Sequence, residues 1–421
     1  MSESVADVSM RLYKKKMILA PMVRACTLPL RVSAIKHGAD TVYTEEIVDH
    51  KLLRVKREVN KELGTIDYVH DVNGKKNSMR KHCVLRIHPE TEKGRLILQI
   101  GTSDAVRALK ATQIAIKDID AVDLNMCCPK HFSVHSGMGV ALTRKPEIAS
   151  DIIKTLRRNL NIPVSCKIRM LDEESGKQIE QMMKDRGKKK KKKRKRQNTD
   201  NGTYLSPSKL PSALRDTREF IRNMEAAGAC AVAVHMRTAS ERRKQRAHLE
   251  TDSLKFLSES VKIPFIVNGD VFTRDDLKRV REILPDCSVM FARGALRNVS
   301  VFRKEGSPEL PVPKVIEEYL TQCIRFDNVY GNSKYVVQET MKLNKLCDNK
   351  NKNWKALMEA RTVDEICAAF DLNADTLRKR CGRFGGVVRE YEANHVYSDD
   401  YFKEEASVVS TSSVSTKTKC E

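Results

Sequence analysis

Eight short apolar runs, rich in β-branched residues, recur along this chain of 421 residues. They are Met17–Ala20, Thr41–Tyr43, Leu96–Ile100, Ala121–Asn125, Val164–Arg169, Ala231–His235, Pro264–Asn268 and Ser288–Ala292. Most are apolar nearly throughout, as strands buried on both faces are. Helix-like segments separate many of them. Ser103–Lys117 follows a Ser/Asp start, Pro146–Asn159 opens on a proline suited to a first turn, and Leu214–Ala227 stops before Gly228. Eight strands alternating with helices predict an α/β fold, a (β/α)8 TIM barrel. A doubly wound open sheet is the rival, but no G-x-G-x-x-G follows the first strand.

The pattern divides the chain into an N-terminal extension (1–16), a barrel (17–307), a helical domain (314–390) and a Ser/Thr-rich tail (391–421). In the helical domain, Lys314–Val329, Tyr335–Leu346, Asn353–Ala360 and Thr362–Phe370 carry apolar residues at three- and four-residue spacing. Two stretches interrupt the barrel. Residues 45–95 are too long for one connection and read as an excursion over the barrel mouth. Residues 173–212 carry nine consecutive basic residues, Lys188 to Arg196, then a Ser/Pro/Asn/Gly-rich stretch. That composition predicts disorder.

The formal charge is +23, and it stays strongly positive without the basic run. A polyanion partner is indicated, and nucleic acid fits better than membrane because no long apolar face accompanies the charge. No run approaches 18 apolar residues and no signal-like segment opens the chain, so a soluble protein of the cytoplasm or nucleus, without membrane contact, is expected. The 12 cysteines form no C-x-x-C pair, which argues against a metal site or a disulfide framework. A monomer is expected. The Lys188–Arg196 run reads equally as a nuclear localisation signal, an RNA-binding arm or drifted low-complexity sequence.

In such a barrel the C-terminal strand ends line the active site. Here those ends are Pro21-Met22-Val23-Arg24, Gln99-x-Gly101, Asn125 to Cys128, Lys167-x-Arg169, His235-x-Arg237, Asn268-Gly269 and Ala292-Arg293-Gly294. The last two offer small residues where backbone N–H groups can approach a phosphate, with Arg293 adding charge. Lys167, Gln99 and His235 are donors suited to the edge of a flat, electron-accepting ring. Taken singly, Gln99 and Asn125 read as satisfied core amides, His235 as a core histidine and Cys128 as inert packing. Lys167 is harder to dismiss, because a buried lysine needs an anion or several acceptors. Seven polar strand ends together read as a site.

These residues resemble the tRNA-dihydrouridine synthases, most closely the eukaryotic type acting on uridine 20. The resemblance runs over about residues 17–390. It rests on A-P-M-V-R and T-L-P-L-R (20–24, 27–31), L-Q-I-G-T-S-D (98–104), D-x-N-M-x-C-P-K (123–130), G-M-G-x-A-L (137–142), C-K-I-R (166–169), A-V-H-x-R (233–237), N-G (268–269) and V-M-x-A-R (289–293). It implies an enzyme that uses FMN and NADPH to reduce a D-loop uridine in tRNA. Pro21, Met22, Val23 and Arg24 would run along the flavin ring. Gln99 and Lys167 would bond the ring and ribityl chain, with His235 toward the phosphate. Asn268, Gly269, Asp270, Ala292 and Arg293 would hold the phosphate. Cys128 matches the catalytic cysteine, a general acid for C5, and Asn125, Arg169 and Arg237 would hold the uracil. Lys334, Lys342, Lys345, Arg378, Lys379 and Arg380 are candidate tRNA contacts.

Three positions depart from the pattern: Cys127, Met236 and Asp270 stand where glycine is usual. A left-handed backbone at Cys127 would cost stability. Asp270 would repel a phosphate unless its carboxylate turned away. The double-stranded RNA-binding domain of related enzymes is expected to be missing. Two other functions stay open: a flavin reductase of a free pyrimidine or small enone, and a catalytically inactive tRNA-binding protein.

Overall fold

A computed structural model of the chain describes residues 3–73, 79–184, 205–241 and 245–382. Its strands in chain order are β1 (Met17–Leu19), β2 (Thr41–Val48), β3 (Lys56–Asn60), β4 (Thr65–Asn73), β5 (Met79–Ile87), β6 (Leu96–Gly101), β7 (Ala121–Met126), β8 (Val164–Arg169), β9 (Val232–His235), β10 (Phe265–Asn268) and β11 (Ser288–Phe291). Eight of them close a barrel in the order β1-β11-β10-β9-β8-β7-β6-β2, and β3, β4 and β5 form a separate antiparallel sheet. The eight predicted runs are the eight barrel strands. Their apolar side chains fall on both faces because each strand packs against the barrel interior and the outer helices.

The N-terminal extension closes the barrel floor. Its helix, Val5–Tyr13, starts at a Ser4 cap that accepts the Asp7 N–H. Leu12 and Tyr13 are fully buried and join the interior cluster of Ile18, Ala20, Tyr43, Ile97, Ala231, Ile266 and Met290. Thr41 donates to the Leu12 carbonyl at 2.8 Å, and the Tyr13 hydroxyl donates to Ser165 at 3.0 Å.

Two expectations need correction. The 45–95 excursion does not roof the mouth. Its sheet lies on the outer wall, where Arg57 and Tyr68 both donate to Asp118. Asp118 lies in the turn before β7, at the opposite end of that strand from Cys128. Nor is all of 173–212 without structure. Glu173–Lys184 is a helix that buries Ser175, Gly176 and Ile179, because Ile179, Met182 and Met183 recur at helical spacing and pack beside Val134, Val140 and Ala141. The basic run and the residues to 204 lie outside the described residues.

The helical domain begins with Val312–Arg325 and continues through Tyr330–Leu343, Lys352–Glu359, Val363–Ala368 and Ala374–Arg380. The last helix escaped the periodicity because Leu377 is its one buried residue. The domain is stitched to the barrel: Thr340 donates to the Leu296 carbonyl at 2.8 Å and Asn344 to that of Arg297 at 2.8 Å. Arg86 of the wall sheet reaches the Asp327 carbonyl at 3.1 Å. The 391–421 tail lies outside the described residues.

Candidate active site

Every strand-end residue singled out from the sequence lies at the same end of one barrel, because all eight strands run parallel. Register sets the neighbours: Gln99 lies beside Asp123, Asn125 beside Lys167, Arg169 beside His235, and His235 beside Asn268. The side chains then sort into two groups.

The first group surrounds the two thiols after β7. The Asn125 side-chain Oδ1 accepts the Cys127 N–H at 2.8 Å, which fixes the turn out of the strand. Cys127 has no left-handed backbone, so a side chain sits there without strain. Lys167, only 6% exposed, donates to the Cys127 sulfur at 3.2 Å. Arg169 donates to the Cys127 carbonyl at 3.0 Å and to that of Thr238 at 3.0 Å. Enclosure by the protein, followed by the negative charge of Glu46, pushes the Cys128 thiol up to about 12. Its proton is therefore retained at neutral pH. Gly139 packs on this turn, where a Cβ would stand 2.4 Å from the Cys128 carbonyl oxygen.

The second group surrounds Asp270, whose φ of +48° turns the chain sharply after β10. Its carboxylate accepts from Arg293 at 2.6 Å, from the Ala247 N–H at 2.8 Å and from Arg237. Burial alone would raise this carboxyl; the Arg237 hydrogen bond and the Ala247 N–H hold it below its ordinary value. The expected repulsion of a phosphate is thereby removed. Arg237, 2% exposed, also clasps the Gln245 carbonyl at 2.7 Å. It belongs to this group and not beside Asn125 and Arg169, where the resemblance put it. Enclosure, then the charges of Arg169, Lys167, Arg237 and Arg293, drive His235 well below its ordinary value, so its imidazole is neutral. Met236 is fully buried without strain.

Other residues fall partly outside these groups. Pro21, Met22 and Val23 line the turn after β1, half-buried. The Arg24 side chain leaves the barrel, donating to the Gly331 carbonyl at 2.9 Å and lying 4.7 Å over the Tyr335 ring. Gln99 donates to Asp123 at 2.9 Å, and Asn268 donates to the Met290 carbonyl at 2.9 Å. Burial raises Asp123 to about 6, against the pull of Gln99 and Ser165. Among the candidate tRNA contacts, Lys334 is tied to the Met358 and Ala360 carbonyls and Arg378 to Asp364 and Asp375. Both hold the helical domain together. Sequence reasoning missed Glu46, Thr44 and Asp123; the Glu45-Glu46 pair at a strand end was the available signal.

The residues fit a flat ring with a phosphate tail. Lys167 is a buried cation whose hydrogen-bond partner is a thiol, a weak acceptor, so it retains the capacity to bind a ligand oxygen or nitrogen. At Gly269, φ is +117° and a Cβ would come within 3.0 Å of Ala247 and 3.2 Å of His235. Only glycine fits there. The adjoining Gly269 and Asp270 N–H groups have no acceptor among the described residues, and Arg293 stands beside them.

The dihydrouridine synthase family model matches residues 18–190 and 209–376. The chain belongs to the dihydrouridine synthase family. Its members are oxidoreductases, and two relatives are named for the same reaction. The tRNA-dihydrouridine(20) synthase (NAD(P)+) of Schizosaccharomyces pombe is 32% identical over 86% of this chain and 66% of its own length. That of Saccharomyces cerevisiae is 31% identical over 77% of each. A human tRNA-dihydrouridine(20a/20b) synthase (NAD(P)+)-like protein is 27% identical over 74% of this chain and 78% of its own. The family match spans both barrel and helical domain. Among the described residues no helix is long and apolar enough to cross a membrane, and no group of side chains is placed to hold a metal ion.

Proposed function

We propose that this chain reduces the C5–C6 bond of a D-loop uridine in tRNA, at position 20, with FMN as resident cofactor, NADPH as electron donor and Cys128 as general acid. The observation that carries this reading is a thiol that keeps its proton at the end of β7, on the rim that Lys167 and Arg169 share. Bound FMN would supply the hydride for C6 of the uracil. Negative charge then develops over C5, C4 and O4, and Cys128 quenches it by giving its proton to C5. Asn125 and Arg169 orient the polar edge of the base. Lys167 and the second N–H of Gln99 bond the ring edge, and Arg293 with the Gly269–Asp270 turn holds the phosphate. Arg237 acts at a distance by fixing Asp270.

A uridine in folded tRNA must turn out of its stack to reach this mouth. The helical domain beside the rim, in a chain of net charge +23, supports a backbone grip. The test is incubation with unmodified tRNA and NADPH, counting dihydrouridine, with Cys128→Ala and Cys127→Ala assayed separately. Loss in the Cys128 variant alone is expected. Loss in the Cys127 variant alone would move the acid role by one residue. Activity on free uracil without tRNA activity, or a colourless protein that binds tRNA, would overturn the reading.

A further inference from the structure

Strand β2 breaks register between Tyr43 and Glu46. There the Gln99 N–H donates to the Thr44 hydroxyl oxygen at 3.0 Å instead of to a strand carbonyl. The irregularity leaves Glu46 opposite Gln99, at the mouth, while Glu45 turns away to accept the Arg24 N–H. Bulges of this kind re-aim a side chain next to active sites. The Glu46 carboxyl reaches the Asn125 amide and the Cys128 thiol. Its Oε1 is buried with no hydrogen-bond partner among the described residues. Gly101 makes the space, since a Cβ there would stand 2.6 Å from Oε1. The titratable and charged groups facing this carboxyl are Lys130 and Cys128 from the turn after β7, with Cys127 adjoining; β6 contributes Gly101 and no charge. An enclosed carboxyl with an unpaired oxygen is costly to keep, and its position beside one sulfur gives the reason.

On the reading that Cys128 is the general acid, we propose that Glu46 is its positioning residue and returns its proton after each transfer. In the first step the S–H bond breaks and the C5–H bond forms, leaving a thiolate. In the second, the Glu46 carboxylate takes a proton from solvent on the exposed Lys130 side and passes it to sulfur: the new O–H bond breaks, S–H re-forms, and Glu46 is left a carboxylate as it began. Burial raises Glu46 itself, yet the thiol at about 12 remains the stronger base, so the proton moves downhill to sulfur.

The test uses the flavin-loaded protein and Glu46→Gln. Removing the carboxylate lowers the thiol's hold on its proton, so iodoacetamide alkylation of Cys128, followed by mass spectrometry across pH, is expected to rise about tenfold at a fixed pH. The first turnover with tRNA is expected to stay within about twofold of wild type while steady-state dihydrouridine formation at pH 8 falls about tenfold, with Glu46→Asp recovering part of it. Should Glu46→Gln not fold, Gly101→Ala displaces the carboxyl by contact and gives the same two readouts. An unchanged alkylation profile, or equal loss in the first and later turnovers, overturns the proposal. Cys128→Ala run in parallel separates the failures. If that variant is inactive while Glu46→Gln matches wild type, the relay alone fails; if Cys128→Ala keeps full activity, the general-acid reading fails first.

Discussion

The floor and the mouth of this barrel are built from the same strands but treat polar groups differently. At the floor they mostly bond one another. Tyr13 donates to Ser165, Ser165 to Asp123 at 2.7 Å, and Ser9 to the Cys230 carbonyl at 3.1 Å. The Tyr43 hydroxyl, buried there, has no hydrogen-bond partner among the described residues. Among the described residues at the mouth, Lys167 has a sulfur for a partner, Glu46 Oε1 has none, and two N–H groups of the β10 turn have no acceptor. Buried polar groups normally find partners. These groups at the mouth lie where the proposed ligand would bind.

Substitutions at the two ends should therefore fail in different ways. Cys128→Ala at the mouth is expected to cut uridine reduction by about 100- to 10,000-fold while the unfolding midpoint holds, measured as dihydrouridine per tRNA and by denaturant titration. Tyr13→Ala at the floor should do the reverse. It removes a fully buried aromatic ring, for a loss of about 3–5 kcal/mol in unfolding free energy, with turnover per folded molecule unchanged. Should Tyr13→Ala depress turnover more than stability, the two ends are not separable in this way.

Lys167→Met sharpens the contrast on binding. FMN retention, followed by fluorescence on dilution, is expected to weaken about 10- to 100-fold. Stability should hold or rise, because a buried cation is replaced by an apolar chain of similar length.

The smallest effect concerns a buried pair near the rim, His248 and Glu241, 2.9 Å apart. Burial lowers His248, but the Glu241 hydrogen bond more than offsets it and leaves the histidine raised. Its contribution is complete below the ordinary 6.5 and is lost as pH rises through the raised value. Burial likewise opposes the ionisation of Glu241, yet the His248 bond holds it below 4.5, so its contribution is lost as pH falls through that lowered value. The stability gap between wild type and His248→Gln should thus be widest between pH 4.5 and 6.5 and narrow on both sides, read from unfolding midpoints across pH.

Much of this was legible in the chain. The strands announced themselves through apolar β-branched runs, and Gln99, Cys128, Lys167 and His235 through polar residues at strand ends. The wall sheet was misplaced because nothing in 45–95 encodes its anchor, Asp118, a residue outside the segment. The Glu173–Lys184 helix was hidden by the composition of its neighbours, although its own Ile179, Met182 and Met183 carried the helical period. Arg24 was read with its strand end, but its side chain answers to Gly331 and Tyr335, some 300 residues on.

The amino-acid order alone determined the barrel, the helical domain and the set of polar residues at the rim, because strand and helix periods and chain direction are local properties. Only the tertiary structure decided which thiol meets which charge, that Asp270 is neutralised by two arginines, and that a bulge turns Glu46 onto Cys128. Those outcomes depend on contacts between distant segments, and a carboxylate or thiol takes its protonation from what it touches rather than from its place in the chain.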